Sequence, residues 1–158
     1  MKIINRHLLD EVTAAARENP RLRQNWNIHH GDDSPAHRLL NAMEPASYIR
    51  PHRHLDPFKD ETFMIIRGSL GILVFDDNGA VTEKLLLAAG GENCGADIPS
   101  GVFHTAVSLR EGTIFFEAKA GPYLPLKDAE KAPWAPEEGA AAGEYLAALQ
   151  QEFKPCSC

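Results

Sequence analysis

Residues 61–75 read ETFMIIRGSLGILVF, two short apolar runs (62–67 and 70–75) parted by Gly68-Ser69. Each run has the length and the β-branched and aromatic content of a strand, and the Gly-Ser pair supplies the turn. The same pattern extends outward in both directions. Upstream lies 38–43; downstream lie 81–87, 94–98, 103–109 and 113–119. Turn clusters separate them: Asp76-Asp77-Asn78-Gly79, Gly90-Gly91, Pro99-Ser100-Gly101 and Arg110-Glu111-Gly112. Seven short strands at this spacing predict an all-β sandwich or barrel rather than an α/β fold.

The flanks differ in character. Residues 1–37 read as an N-terminal helix and an irregular arm. The helix is predicted over 5–18, with Asn5 as its N-cap, an apolar stripe of Leu8, Leu9, Val12, Ala15 and Ala16, and a stop at Asn19-Pro20. Residues 20–37 are polar, with Trp26 and a His29-His30-Gly31-Asp32-Asp33 cluster. Residues 38–120 hold the strands, and 121–158 form a C-terminal extension with a helix expected across roughly 137–152. The 158 residues suit one domain, since about 150 residues is usual. The two helices are expected to flank the β core, unless one serves a dimer contact.

Charge and cysteine content narrow the setting. The chain has 16 Lys+Arg against 22 Asp+Glu, a net charge of -6, which disfavours nucleic acid and anionic lipid as partners. No apolar run reaches the ~18 residues of a membrane helix, and the opening MKIINRHLLDEV is too charged for a signal peptide. A cytoplasmic protein is expected. Cys94, Cys156 and Cys158 are too few and oddly placed for a disulfide framework. Cys94 is read as buried and inert, and the last two as a frayed tail.

Histidine carries the chemical signal. His52-Arg53-His54 places two imidazoles on one face of an extended segment. Glu61 opens a strand, and His104 follows Pro99-Ser100-Gly101. Three imidazoles and one carboxylate suit a single divalent transition metal ion, whether Fe, Mn, Ni or Zn. Asp56 and Asp60 are rival carboxylates; Glu61 can point inward with Phe63 and Ile65. On the same argument His104 shares its face with Ala106 and Ser108, and Phe103 and Val107 pack outside, against a helix or a second subunit.

These residues resemble the two motifs of the cupin superfamily. His52, His54, Glu61 and Gly68 fill the first, and Pro99, Gly101 and His104 the second. The departures are a longer gap between His54 and Glu61, Ala46 and Asn93 at the leading glycines, and Ser108 at the closing Asn. The resemblance implies a jelly-roll barrel, a double-stranded β-helix, with a metal held by His52, His54, Glu61 and His104. More closely, Pro51-His52-Arg53-His54, Phe115-Phe116-Glu117 and Gly121-Pro122-Tyr123 are similar to the WbuC-type cupin-fold metalloproteins, bacterial proteins often encoded among O-antigen genes.

The function expected is that of a metal-binding protein for a small anionic or sugar-derived ligand. It would be a metal-dependent isomerase or dioxygenase, or alternatively a non-catalytic sensing module; a metal-free epimerase fits less well. Arg50, Arg53, Lys59 and Arg67 are expected near the barrel mouth as ligand-binding cations. Trp26, Tyr48 and Phe58 would form an aromatic wall or, equally, belong to the core. Glu117 and Tyr48 are candidates for proton transfer. A homodimer through an outer sheet face is expected.

Overall fold

The computed structural model describes residues 1–139 and 141–154; Cys156 and Cys158 lie outside the described residues. Among the described residues, eight strands build two antiparallel sheets. They are β1 (Arg23–Asn27), β2 (Ala36–Met43), β3 (Glu61–Arg67), β4 (Ser69–Phe75), β5 (Val81–Ala88), β6 (Gly95–Ile98), β7 (Phe103–Ser108) and β8 (Thr113–Ala120). The larger sheet has the order β1-β2-β8-β3-β6, and the smaller β5-β4-β7. The seven expected strands are β2 to β8. β1 is the addition: the arm expected to be irregular pairs with β2 in register Arg23↔Met43 to Asn27↔Leu39.

The chain changes sheets between β3 and β4, and Gly68 makes that corner. Its φ is 77°, in the left-handed region where a Cβ is strained. A Cβ there would lie 2.5 Å from Thr113 Oγ1 and 2.9 Å from Thr113 Cα. Thr113 is pinned in turn, its hydroxyl donating to the Ser69 carbonyl at 3.1 Å. Gly68→Ala is therefore expected to cost about 2–4 kcal/mol, adding backbone strain to overpacking. Urea denaturation would read it, and an unchanged midpoint would show that the corner relaxes freely.

Alternation divides the apolar residues among three clusters. Between the sheets lie Met43, Phe63, Leu70, Ile72, Ala106 and Phe115, among others. On the outer face of β2 and β8, Leu40, Ala42 and Ile114 meet Leu9, Val12 and Ala16 of α1 (Arg6–Glu18). The Asn5 carboxamide caps α1 by accepting from the Leu8 amide at 3.0 Å. On the outer face of β4 and β7, Leu73, Phe103 and Val107 meet Ala142, Leu146 and Leu149 of α2 (Ala142–Gln151). That helix starts later than expected, because Glu137, Glu138 and Gly139, with φ 148°, stay outside it. Full burial of each such Leu or Ile contributes about 1.5–3 kcal/mol. All six residues of β7 are buried: one face looks into the barrel and the other is covered by α2. The apolar outer faces of β2 with β8 and of β4 with β7 thus receive their cover within the chain. Among the described residues, no helix is long and apolar enough to cross a membrane.

Candidate metal centre

Backbone pairing assembles the histidines. His52 and His104 exchange amide–carbonyl hydrogen bonds of 3.0 and 2.9 Å, an isolated antiparallel bridge that sets their rings 4.8 Å apart. Gly101 N donates to the His54 carbonyl at 2.7 Å, which ties the Pro-Ser-Gly turn to the same segment. From the other side the C-terminal extension clamps it. Glu130 accepts from the Arg53 amide through its carbonyl at 2.8 Å and from the Leu55 amide through Oε1 at 2.9 Å. A turn in which Lys59 N donates to the Asp56 carbonyl at 3.0 Å absorbs the extra residues between His54 and Glu61.

Glu61, 2% exposed, faces the histidines from the start of β3. Donor atoms of His52, His54 and Glu61 lie within 4.8 Å of one another. His104 adjoins this trio through Glu61, its Nε2 standing 2.8 Å from Glu61 Oε2. The rival carboxylates are engaged elsewhere. Asp56 Oδ1 accepts from the Phe58 amide at 3.0 Å, and Asp60 Oδ1 from the Ser100 amide at 2.8 Å. Asp60→Asn should thus leave metal content unchanged while Glu61→Gln lowers it at least tenfold, a loss of the order that even outer partners of metal ligands produce. Elemental analysis of the two variants separates them; equal losses would contradict the assignment.

The ring nitrogens test whether a cation fits. His52 Nδ1 lies 3.0 Å from the Arg50 carbonyl. His104 Nδ1 lies 2.9 Å from the Val102 carbonyl. Each therefore carries its proton on Nδ1, which leaves Nε2 as a lone pair. The His52 ring is neutral: burial first, and then the neighbouring His104 ring, push it down to about 3. His104 thus presents both nitrogens to acceptors, so its approach to Glu61 requires a second ring proton or a cation between the two groups. His54 Nε2 is buried, stands 3.1 Å from Glu61 Oε1, yet makes no hydrogen bond. Buried polar atoms are rarely left so, and a metal ion would satisfy this one. The residues fit the group.

A second layer of charge surrounds Glu61. Lys119 Nζ donates to Glu61 Oε1 at 2.7 Å and pairs with Glu117 Oε1 at 2.6 Å; Glu117 Oε2 accepts from Asn41 Nδ2 at 2.7 Å. Burial opposes ionisation of Glu61, but the close imidazoles of His104 and His54 and the Lys119 ammonium hold its carboxyl well below the usual range. Burial also opposes the charge of Lys119, and Glu117 and Glu61 outweigh it, so the ammonium is held above its ordinary range. Glu117 goes the other way. Burial pushes its carboxyl up against the pull of Lys119, and the Glu61 charge adds to the rise.

A cavity of about 150 Å³ opens from the centre into the barrel. His52, Glu61 and His104 line one end, with Glu117 and Lys119 beside them; Arg23 and Asn25 of β1 line it too. The unforeseen strand therefore contributes directly to the wall.

Other expected site residues are placed differently. Arg67 lies at the far end of β3 from Glu61 and pairs with Asp10 of α1 at 2.8 Å, because a seven-residue strand carries its last residue about 20 Å from its first. Arg50 is spent on the Ala132 carbonyl at 2.8 Å and on Glu137. Arg53 reaches Asp77 at 3.2 Å and covers the Phe103 ring. Lys59 does reach the histidines, on the side away from the barrel cavity. Tyr48 is buried under α2, its hydroxyl donating to the Pro136 carbonyl at 2.9 Å. Trp26 packs by α1, and Phe58 is 82% exposed, so the aromatic wall does not form. Cys94 is exposed rather than buried, since it precedes β6 instead of lying within it.

A family model described as a domain of unknown function, DUF6016, matches residues 4–87, more than half of the chain. The chain belongs to the DUF6016 family. No curated protein matches this DUF6016 chain significantly. Among solved structures it is similar to TT1209 from Thermus thermophilus, at 20% identity and TM-score 0.53, covering 77% of this chain and 98% of that one. It is also similar to KdgF from Halomonas sp., at 17% identity and TM-score 0.51, over 70% of this chain and 85% of that one. A recombinant oxalate oxidase in complex with glycolate matches at 14% identity and TM-score 0.51, over 66% of this chain and 54% of that one. At such identities the likeness concerns the fold, which is the single-domain cupin jelly roll.

Proposed function

We propose that this DUF6016 protein is a metal-dependent cupin enzyme of the WbuC type that transforms a small anionic or sugar-derived molecule, by isomerisation or oxygen-dependent oxidation. The observation that carries the reading is the buried, unpartnered Nε2 of His54 beside a carboxylate and two further imidazoles, where Glu61, His52 and His104 line the end of the barrel cavity. His52, His54, Glu61 and His104 would hold one divalent transition ion, which when bound supplies a Lewis acid for a substrate carbonyl or hydroxyl. Lys119 faces both Glu61 and Glu117, and Arg23 is paired with Glu138, so the fixed groups around the cavity leave an excess of negative charge. A bound dication tips the balance to positive and favours an anion. The oxalate oxidase neighbour was solved in complex with glycolate, a small carboxylate, which supports this reading.

The protein's own groups divide the remaining work. Asn25 meets polar groups of the substrate, beside an Arg23 held by Glu138 and the Tyr48 carbonyl, while Met43, Phe63 and Phe115 exclude water. Glu117, with its carboxyl pushed up, is the group able to hold a proton next to the substrate. Nucleic acid is not expected as a partner, and a link to polysaccharide metabolism is the biological setting proposed.

The test is turnover of a panel of sugar phosphates and keto acids by the protein as purified. Activity present in the native chain and lost in His52→Ala, with the circular dichroism unchanged, supports the enzyme. A panel member bound tightly and released unchanged would instead establish a sensing module.

A further inference from the structure

On the other side of the histidines lies a second pocket, of about 170 Å³, roofed by residues 122–126. Its lining includes three histidines, His37, His52 and His54, and two lysines, Lys59 and Lys119, but no carboxylate. That is unexpected in a chain of net charge -6. The ammonium of Lys119 is already matched by Glu61 and Glu117. Lys59 is not matched. It is only 8% exposed, and its Nζ makes one hydrogen bond, to the Pro122 carbonyl at 3.2 Å. Among the described residues no carboxylate comes within ion-pairing distance of it. Asp56 and Asp60, its neighbours in sequence, bind the Phe58 and Ser100 amides instead.

A buried ammonium without a counter-ion is costly, so native proteins pair such charges or reserve them for a ligand. From the fold's side, nothing is gained by leaving this one open. Register explains the placement: Lys119 of β8 lies between His37 of β2 and Glu61 of β3. The basic groups of β2 and β8, His37 and Lys119, therefore face one space with Lys59, His52 and His54. The roof is fastened to the body where the Tyr123 amide donates to the Asp32 carbonyl at 2.7 Å. Tyr123 and the leucines of the roof offer an apolar cover over the basic floor.

We infer that this outer pocket binds the oxyanion group of a small organic molecule, a phosphate ester or a carboxylate, with Lys59 as its counter-ion. The inference takes up the anionic ligand proposed above and gives its charged end a place, but it does not need the metal. His52 and Lys119 line both cavities, so a molecule anchored at Lys59 reaches the histidine cluster.

The test is calorimetric titration of the full chain, as purified and after chelation, with inorganic phosphate and with acetate. Lys59→Met should weaken binding about tenfold or more, the loss of one charged hydrogen-bond partner. Arg67→Met, at the far end of β3, should leave it unchanged. Phosphate bound alone assigns a phosphate ester, acetate alone a carboxylate, and both a general oxyanion site. Binding by neither overturns the inference, as does equal affinity in native protein and Lys59→Met, or binding that vanishes on chelation. Should Lys59→Met fail to fold, the His37 ring resonances of the chelated native chain decide the matter: they shift with the bound anion, and their constancy would overturn the site. Failure here with metal retained leaves the metal reading standing, and loss of metal with anion binding intact leaves this one standing.

Discussion

Protein carrying His52→Ala together with His104→Ala is expected to emerge from purification with less than about a tenth of the metal of the native chain, which should hold about one ion per chain. Two of the imidazoles would be gone, and with them the bridge partners that face Glu61 across the barrel end. His54 and Glu61 alone make an incomplete site. Because structural donors in a preformed pocket hold metal with free energy that counts toward folding, the double variant should also lose the stabilisation that native protein loses on chelation. Metal analysis together with thermal unfolding, before and after chelation, reads both effects. Full metal content in the double variant would refute the assignment.

Lys119→Met is expected to destabilise the chelated protein by about 3–5 kcal/mol, the range seen when one partner of a buried ion pair is removed. The substitution leaves Glu61 and Glu117, 2% and 7% exposed, facing each other without the ammonium between them. Metal-loaded protein should suffer less, since a dication at Glu61 replaces the missing charge. The sign also differs with pH. Glu61 has its carboxyl held well below the unfolded value, so the stability it contributes is present above that unfolded value and fades as the pH falls through the folded one. In Lys119→Met that acid-side contribution shrinks. Urea unfolding of native and variant protein, with and without metal, measures the difference; equal losses in both states would show that Lys119 does not share Glu61 with a metal.

Most of the barrel could be read from the sequence because its strands are apolar, short and punctuated by Gly and Pro. The corner at Gly68 and the inward phase of Glu61 and Phe63 both followed from local rules, two-residue alternation and a turn signal. β1 was not legible. Its sequence, Arg23 to Asn27, is polar with one tryptophan, since Arg23 and Asn25 line the cavity and the strand lies at a sheet edge. Period and hydrophobicity fail where a strand has a single apolar side chain, here Trp26.

The cations were legible as a group but not in place. Arg67 follows Glu61 closely in sequence, yet strand extension carries it to α1. Lys119, far along the chain, comes beside Glu61 only through the β3–β8 register, which no local pattern encodes. The clamp by Glu130 on the Arg53 and Leu55 amides is likewise a long-range pairing, as is the hydrogen bond that takes Tyr48 to Pro136. Motif residues announce their chemistry; the charges that tune them are set by topology.

The most direct measurement is anomalous diffraction at the absorption edge of whichever metal elemental analysis finds in crystals of protein purified without added metal. One strong peak is expected among His52 Nε2, His54 Nε2, Glu61 and His104 Nε2, with His54 Nε2 no longer without a partner. An ion bound elsewhere, or a fully metal-free chain in which a second proton on His104 bridges to Glu61, would contradict the metal centre.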